Sequence, residues 1–181
     1  MIVGLEQCRC LSAELNSSIS MGAATQVMLR GITQSGSLLI CRVGSRLCGL
    51  QLGHVVETMR LLPIDSIAGA PSFICGLSTI RGESVPVVDL GALLGVEQTA
   101  MKRIVLIDVD HRRVALAVEA VLGTRELGED SLRELPPLLD GAGGDVIAAL
   151  GSLDAELLMV LGEDCLVPDS VWAVLDEALP T

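Results

Sequence analysis

The segment PSFICGLSTIRGESVPVVDLGALLG, residues 71–95, decides the fold of this chain. Residues 74–80 are mostly apolar and β-prone, which predicts a strand. The triplet Arg81-Gly82-Glu83 predicts a tight turn, because glycine adopts a positive φ without a steric cost. Residues 84–88 predict a second short strand. The segment therefore predicts a β-hairpin.

The end of the same segment predicts a short helix. Asp89 is well placed to cap a helix over residues 90–94, and Gly95 is placed to end it. A second helix is predicted at 168–179, where Pro168 stands at an early position and Trp172 and Leu175 have helical spacing. The intervening residues 124–145 contain Pro136-Pro137 and GAGG and predict a surface loop.

An internal repeat extends the β prediction to most of the chain. The stretch from Leu38, LLICRVGSRLCGLQLGHVVE, aligns with the stretch from Ile104, IVLIDVDHRRVALAVEAVLG, at a constant offset of 66 residues. The first copy predicts strands at 38–43 and 46–52 around the turn Gly44-Ser45, and a third strand at 54–61. Leu50 and Leu116 take equivalent positions, so we expect both to be buried.

A looser repeat aligns Thr79–Leu90 with Ser152–Glu163, at an offset of 73 residues. Each half of the chain therefore predicts two hairpins. Small antiparallel sheets remove their edges by closing into barrels. The predicted fold is mainly β, with two small β-barrels packed side by side, a short linking helix and a C-terminal helix.

Composition limits the classes of partner and compartment. The net charge is −11 and aromatic residues make up 1% of the chain, which argues against nucleic-acid binding. No charge-free apolar run approaches the ~18 residues that a membrane span needs, so direct membrane insertion is not expected. No export signal precedes the six cysteines, which favours a reducing cytoplasm. Residues 1–36 lack sustained periodicity and predict a flexible tail.

The hairpin resembles the signature segment of CheW-like domains, the bacterial chemotaxis coupling proteins, which carry a similar L-R-G-x-x-x-P-V-x-D-L run. Here the run is IRGESVPVVDL, residues 80–90. The resemblance covers roughly residues 37–179 and implies two five-stranded, SH3-like barrels. It also implies a non-catalytic adaptor in the cytoplasm, associated with membrane-bound receptor arrays. The implied partners are a CheA-type histidine kinase and the cytoplasmic tip of a methyl-accepting chemoreceptor.

The resemblance also implies a partner-binding surface on the hairpin and on the strand at 54–61. The residues it points to are Arg81, Gly82, Val85, Pro86, Val88, Asp89, Val55, Glu57 and Met59. Without the resemblance, an arginine placed like Arg81 is usually an ordinary solvated charge in a turn, and a glutamate placed like Glu57 is usually a solvated charge on a strand. For the apolar run 85–88, a place in the core and a place in the interface are about equally expected, and the core is favoured for Val87. Pro86 indicates an edge strand or a bulge, because it cannot donate to a ladder.

Patterns for catalysis, cofactors or metals do not emerge. His54 and His111 are the only histidines and have no metal-ligand spacing, and Cys8-x-Cys10 lacks a second pair. There is no phosphate loop and no nucleophile motif. We therefore expect no cofactor and no catalytic activity. Two alternatives remain: a scaffold in a non-chemotaxis array for surface motility or development, and a small thiol-dependent or ligand-binding enzyme.

Overall fold

A computed structural model of the chain describes residues 37–96, 100–109, 111–127, 132–133, 146–162, 166–168, 171–173 and 175. The predicted flexible tail, 1–36, lies outside the described residues, as do residues 176–179 of the predicted C-terminal helix. No helix within the described part of the chain is long and apolar enough to cross a membrane.

The first half of the chain forms five strands and a short helix. They are β1 (Ser37–Val43), β2 (Arg46–Gln51), β3 (Val55–Arg60), β4 (Ile74–Ile80), β5 (Glu83–Asp89) and α1 (Leu90–Leu93). The predicted hairpin is confirmed, and so is the helix that follows it. The third strand begins at Val55, one residue later than predicted, because Leu52–His54 form a single 3₁₀ turn.

The second half repeats this order. Its strands are β6 (Arg103–Val109), β7 (Arg112–Val118), β8 (Ala120–Glu126), β9 (Leu132–Arg133), β10 (Ile147–Leu153) and β11 (Glu156–Leu161). The bounds of β6 to β8 match β1 to β3 within one residue at the offset of 66, and β10 and β11 match β4 and β5 at the offset of 73. Both repeats are therefore structural. The predicted loop at 124–145 is wrong in part, because β8 runs to Glu126 and Leu132 of β9 is buried. Residues 128–131 and 134–145 of this prediction lie outside the described residues.

The strands form two sheets, and each sheet takes strands from both halves of the chain. One has the order β8-β1-β2-β11-β10-β9 and the other has the order β3-β6-β7-β5-β4. Most pairs are antiparallel, but β11 pairs with β2, and β5 with β7, in parallel. We call the first sheet unit A and the second unit B. The structure confirms the predicted mainly-β fold with two small β units, and it adds an exchange of strands between the halves.

Three apolar clusters explain why so many strand residues are buried. One contains only unit A residues, such as Ile40 and Leu158, and another contains only unit B residues, such as Val87 and Leu106. The third joins both units and includes Leu50 and Leu116, which are both 0% exposed as predicted. Alternate side chains of a strand point to opposite faces. Strands such as β1 and β7 therefore bury one face within their own unit and the other in the shared core.

The C-terminal segment packs against the shared core. Residues 171–173 and 175 are helical, and the N–H groups of Val171 and Trp172 donate to the carbonyl oxygen of Pro168 at 2.8 and 3.2 Å. Val171 and Leu175 are buried in the shared core. The predicted C-terminal helix is therefore present at residues 171–173 and 175, whereas Pro168, its predicted first residue, is not helical.

Candidate functional site

The tip of the β4–β5 hairpin carries the central residue of the candidate site. Ile80 and Glu83 pair across a two-residue turn. Arg81 and Gly82 both have positive φ, at 52° and 87°, which is the geometry of a type I′ turn. The side chain of Arg81 is 71% exposed. The turn therefore holds a cationic side chain at the outer end of a rigid hairpin.

Arg81 is fixed by an ion pair with Glu57 of β3. Its Nε donates to Oε1 of Glu57 at 2.6 Å, and its second guanidinium nitrogen, Nη2, donates to Oε2 at 2.8 Å. Two parallel bonds of this kind hold both planar groups in one orientation. The hydrogen bonds from Arg81 keep the pKa of the Glu57 carboxyl below its usual range. The structure thus joins two residues that the sequence analysis selected separately.

A β-bulge in β3 lies directly before Glu57. The register with β6 shifts between Val55 and Glu57, so Val56 is an extra residue in the ladder. Val55 packs against the shared core, whereas Met59 packs against the unit B core. Val56 is 47% exposed. Neither the resemblance nor the apolar pattern pointed to this exposed side chain as a site residue.

The apolar run of β5 lies in the core. Val85, Val87 and Val88 are between 0% and 2% exposed, and Pro86 is also buried. The prediction that Pro86 marks an edge strand or a bulge is wrong, because β5 lies between β7 and β4 and Pro86 pairs in regular register with Leu77. These side chains therefore support the hairpin from inside and contribute little to its exposed surface.

The ladder pattern explains why a proline is tolerated in an interior strand. Glu83 and Ile80 flank a two-residue turn and form a hydrogen-bonded pair, so the alternation places Pro86 in a non-hydrogen-bonded pair with Leu77. On the other side, the pairing with β7 begins only at Val87. The missing N–H of Pro86 therefore removes no bond from either ladder.

Asp89 caps α1, as its position in the sequence predicted. Its Oδ1 accepts hydrogen bonds from the backbone N–H groups of Gly91 at 2.8 Å and Ala92 at 3.1 Å. This contact fixes the exit from β5, because a capping carboxylate satisfies N–H groups at a helix start. Asp89 thus has a structural task at the lower end of the hairpin, away from Arg81.

A second ion pair, which no sequence pattern predicted, lies beside the first. Nη1 of Arg113 in β7 donates to Oε2 of Glu83 at 2.7 Å. The positive charge of Arg113 also contributes to the lowered pKa of Glu57. No local pattern links Arg113 to the hairpin tip, because only the sheet order brings β7 next to β5.

An open groove of about 550 Å³ borders this pair. Its walls are the start of β5, including Ser84 and Pro86, and the β6–β7 turn region from His111 to Arg113. Trp172 closes one side, with the guanidinium carbon of Arg112 4.7 Å from the centre of its ring. The groove therefore lies beside the part of β5 that is not paired with β7.

The described residues do not form a metal-binding cluster of three or more histidine, cysteine or acidic side chains. Burial raises the pKa of the Cys41 and Cys48 thiols to about 12 each. A thiol must lose its proton to act as a nucleophile or a metal ligand. Cys41 and Cys48 are therefore held in the protonated form within the shared core.

Comparison with known proteins identifies relatives over most of the chain. The family model described as CheW-like domain matches residues 37–169. The chain is 26% identical to the chemotaxis protein CheW of Klebsiella aerogenes over 158 residues, which cover 86% of this chain and 95% of that protein. It is also 32% identical to Protein PilI of Pseudomonas aeruginosa over 110 residues, 58% of this chain and 61% of that one.

A solved structure supports the fold. The scaffolding protein TtCheW from Thermoanaerobacter tengcongensis superposes with a TM-score of 0.68 at 22% identity. The match covers 76% of this chain and 90% of that protein. The fold is therefore shared between the two molecules.

Proposed function

The chain belongs to the CheW-like domain family, and on this basis we propose that it is a non-catalytic adaptor that couples chemoreceptors to a CheA-type histidine kinase in chemotaxis. In this proposal it acts in the cytoplasm, next to membrane-bound receptor arrays. One surface binds the kinase and another binds the cytoplasmic tip of a methyl-accepting receptor. The similarity to chemotaxis protein CheW of Klebsiella aerogenes over 95% of that protein supports this assignment.

The observation that carries the proposal is the Arg81–Glu57 pair. Arg81 is 71% exposed, yet its side chain is held by two hydrogen bonds on a hairpin whose base is buried. Arginine is enriched at interface hot spots, and a side chain that is already ordered loses little entropy on binding. We place the binding surface at Arg81, Gly82, Glu57 and Val56, with Val55 and Met59 beneath it.

Substitution of Arg81 tests the proposed surface. Arg81→Asn removes the cation and keeps a residue type that tolerates positive φ, so the turn is retained. We expect the affinity for the kinase regulatory domain or for the receptor tip, each purified from the same organism, to fall about 5- to 150-fold. Titration calorimetry measures this change. Arg81→Lys restores only part of the affinity, because lysine lacks the planar fork.

A matched control separates this effect from a general loss of charge. Arg60→Ala removes an exposed arginine at the end of the same β3 strand, and it leaves both affinities unchanged. Melting curves of all variants are compared with that of the native protein. If Arg81→Asn binds both partners as tightly as the native protein, the surface has been assigned wrongly.

A scaffold in a non-chemotaxis signalling array is the second candidate function. The 32% identity to Protein PilI, a relative that is not named as a chemotaxis protein, supports keeping it. A pull-down from native lysate distinguishes the two functions, because each one predicts a different kinase and a different receptor among the recovered proteins. A thiol-dependent enzyme is less well supported, since burial holds the Cys41 and Cys48 thiols in the protonated form.

A further inference from the structure

The tip of the β4–β5 hairpin is held from both sides of its turn. On one side of Gly82, Arg81 pairs with Glu57 of β3, and on the other side, Glu83 pairs with Arg113 of β7. The strand β6 separates β3 from β7 in the sheet. The two ion pairs therefore tie the hairpin tip to two different strands across the end of unit B.

The backbone ladder holds this tip to β4 but not to β7. Pairing between β5 and β7 covers Val87, Val88 and Asp89, so it stops four residues short of Glu83. The groove lies in the gap that results. Near the turn, the hairpin is linked to β7 through the Glu83–Arg113 pair, with 2.7 Å between Oε2 and Nη1.

The equivalent hairpin in unit A is held differently. There the parallel pairing of β11 with β2 begins at Leu158, which is the equivalent of Val85. Gly123 and Asp154 stand at the positions of Glu57 and Arg81, so the first ion pair has no counterpart. Glu156, the equivalent of Glu83, pairs with Arg42 of β1 at 3.1 Å. The same hairpin thus folds in unit A without an equivalent of the Arg81–Glu57 pair.

Arginines from both ion pairs affect the ionisation of Glu57. Arg81 and Arg113 both lower the pKa of Glu57, so the Glu57 carboxyl stays ionised and keeps Arg81 in its fork. The side chains of Glu83 and Arg113 are 59% and 37% exposed, so their pair contributes little to folding stability. Because this pair adds little stability and Glu83 lies two residues from Arg81 across the turn, its main effect is on the orientation of the hairpin tip.

We propose that Glu83 and Arg113 are positioning residues that fix the hairpin tip and so present Arg81 to the partner in one orientation. This inference rests on the proposed function, because it assumes that Arg81 binds a partner. The partner meets a guanidinium whose direction is already set, which lowers the entropy cost of binding.

Charge reversal tests the proposal. Arg113→Glu and Glu83→Arg each place like charges opposite each other and release the tip, so each lowers the affinity for the Arg81-dependent partner about 3- to 10-fold. The double variant restores an ion pair of reversed sign and recovers most of the lost affinity. A long-range charge effect would instead change the affinity in opposite directions in the two single variants, and a loss of structure would lower their melting temperatures. Arg42→Glu and Glu156→Arg in unit A are the matched control, with unchanged affinity for this partner.

The results distinguish the positioning role of Glu83 and Arg113 from the proposed binding surface at Arg81. If Arg81→Asn weakens binding but Arg113→Glu and Glu83→Arg do not, the positioning role is wrong and the proposed surface stands. If the single variants weaken binding and the double variant fails to recover it, the positioning role is also wrong. If Arg81→Asn has no effect, the proposed surface itself is overturned.

Discussion

Cys41 and Cys48 are paired across β1 and β2 in the antiparallel register. Both are 0% exposed and belong to the shared core. Burial raises the pKa of each thiol to about 12, because a thiolate loses its hydration there. At the scale of the single residue, Cys41 and Cys48 therefore act as small apolar side chains.

Cysteine reactivity follows from this burial. In the folded protein at pH 8, we expect an alkylating reagent to modify the partly exposed Cys75 well before Cys41 and Cys48, although the pKa of Cys75 is also raised. Pulse labelling followed by peptide mass spectrometry measures each residue. In denaturant all three react at similar rates. Early modification of Cys41 or Cys48 in the native protein would contradict their assignment to the core.

The same thiols predict a loss of stability in alkaline solution. A raised pKa in the folded state means that the stabilising effect is complete below the ordinary thiol pKa of 9.0 and is lost as the pH rises towards 12. Between these values, the unfolded chain releases its thiol protons first. Replacing both residues by alanine therefore makes the melting temperature less sensitive to pH in this range.

At the scale of an element, β4 depends on a glycine. Gly76 has a φ of 142°, and a Cβ built there collides with the carbonyl oxygen of Asp65. The two segments touch because Asp65 and Leu77 exchange backbone hydrogen bonds of 2.8 Å in both directions. The close approach of the segment before β4 thus requires a residue without a side chain.

Gly76→Ala therefore destabilises the fold by about 1–3 kcal/mol or more, through overpacking and an unfavourable φ. Denaturant unfolding measures the change. Gly53→Ala is the control, because its Cβ meets nothing within 4 Å and its φ is not positive. Equal stabilities for the two variants would mean that the Asp65 segment moves away without cost.

At the scale of the whole molecule, the exchange of strands makes the two halves interdependent. Strand β3 of the first half pairs with β6 of the second, and β8 of the second half pairs with β1 of the first. The shared core also takes residues from both halves. A half-chain would leave unpaired strand edges and an exposed apolar face in the same molecule.

We therefore expect fragments 1–96 and 97–181 to remain unfolded when each is alone, and the intact chain to unfold in one transition. Circular dichroism and the dispersion of NMR signals report folding of each fragment. An equimolar mixture should recover β structure, since the missing strands are then supplied. A cooperative melting transition in either isolated fragment would show that the halves are independent units.

Local features of this protein could be predicted from the sequence. The hairpin from Ile74 to Asp89, the cap by Asp89 and the repeat that buries Leu50 and Leu116 were all confirmed. Each depends on residues that are close in the chain or on a repeated apolar pattern. Turn chemistry, capping and periodicity act over a few residues, so one sequence is sufficient to detect them.

Only the tertiary structure decided which strands outside the hairpins are neighbours and which distant charges meet. The interior position of β5, the bulge at Val56 and the separation of β5 from β7 follow from the sheet order. The contact between Glu57 and Arg81 joins residues that are 24 positions apart. Apolar periodicity shows which faces are buried but not which strand covers them. The candidate site therefore exists only once strands from both halves have come together.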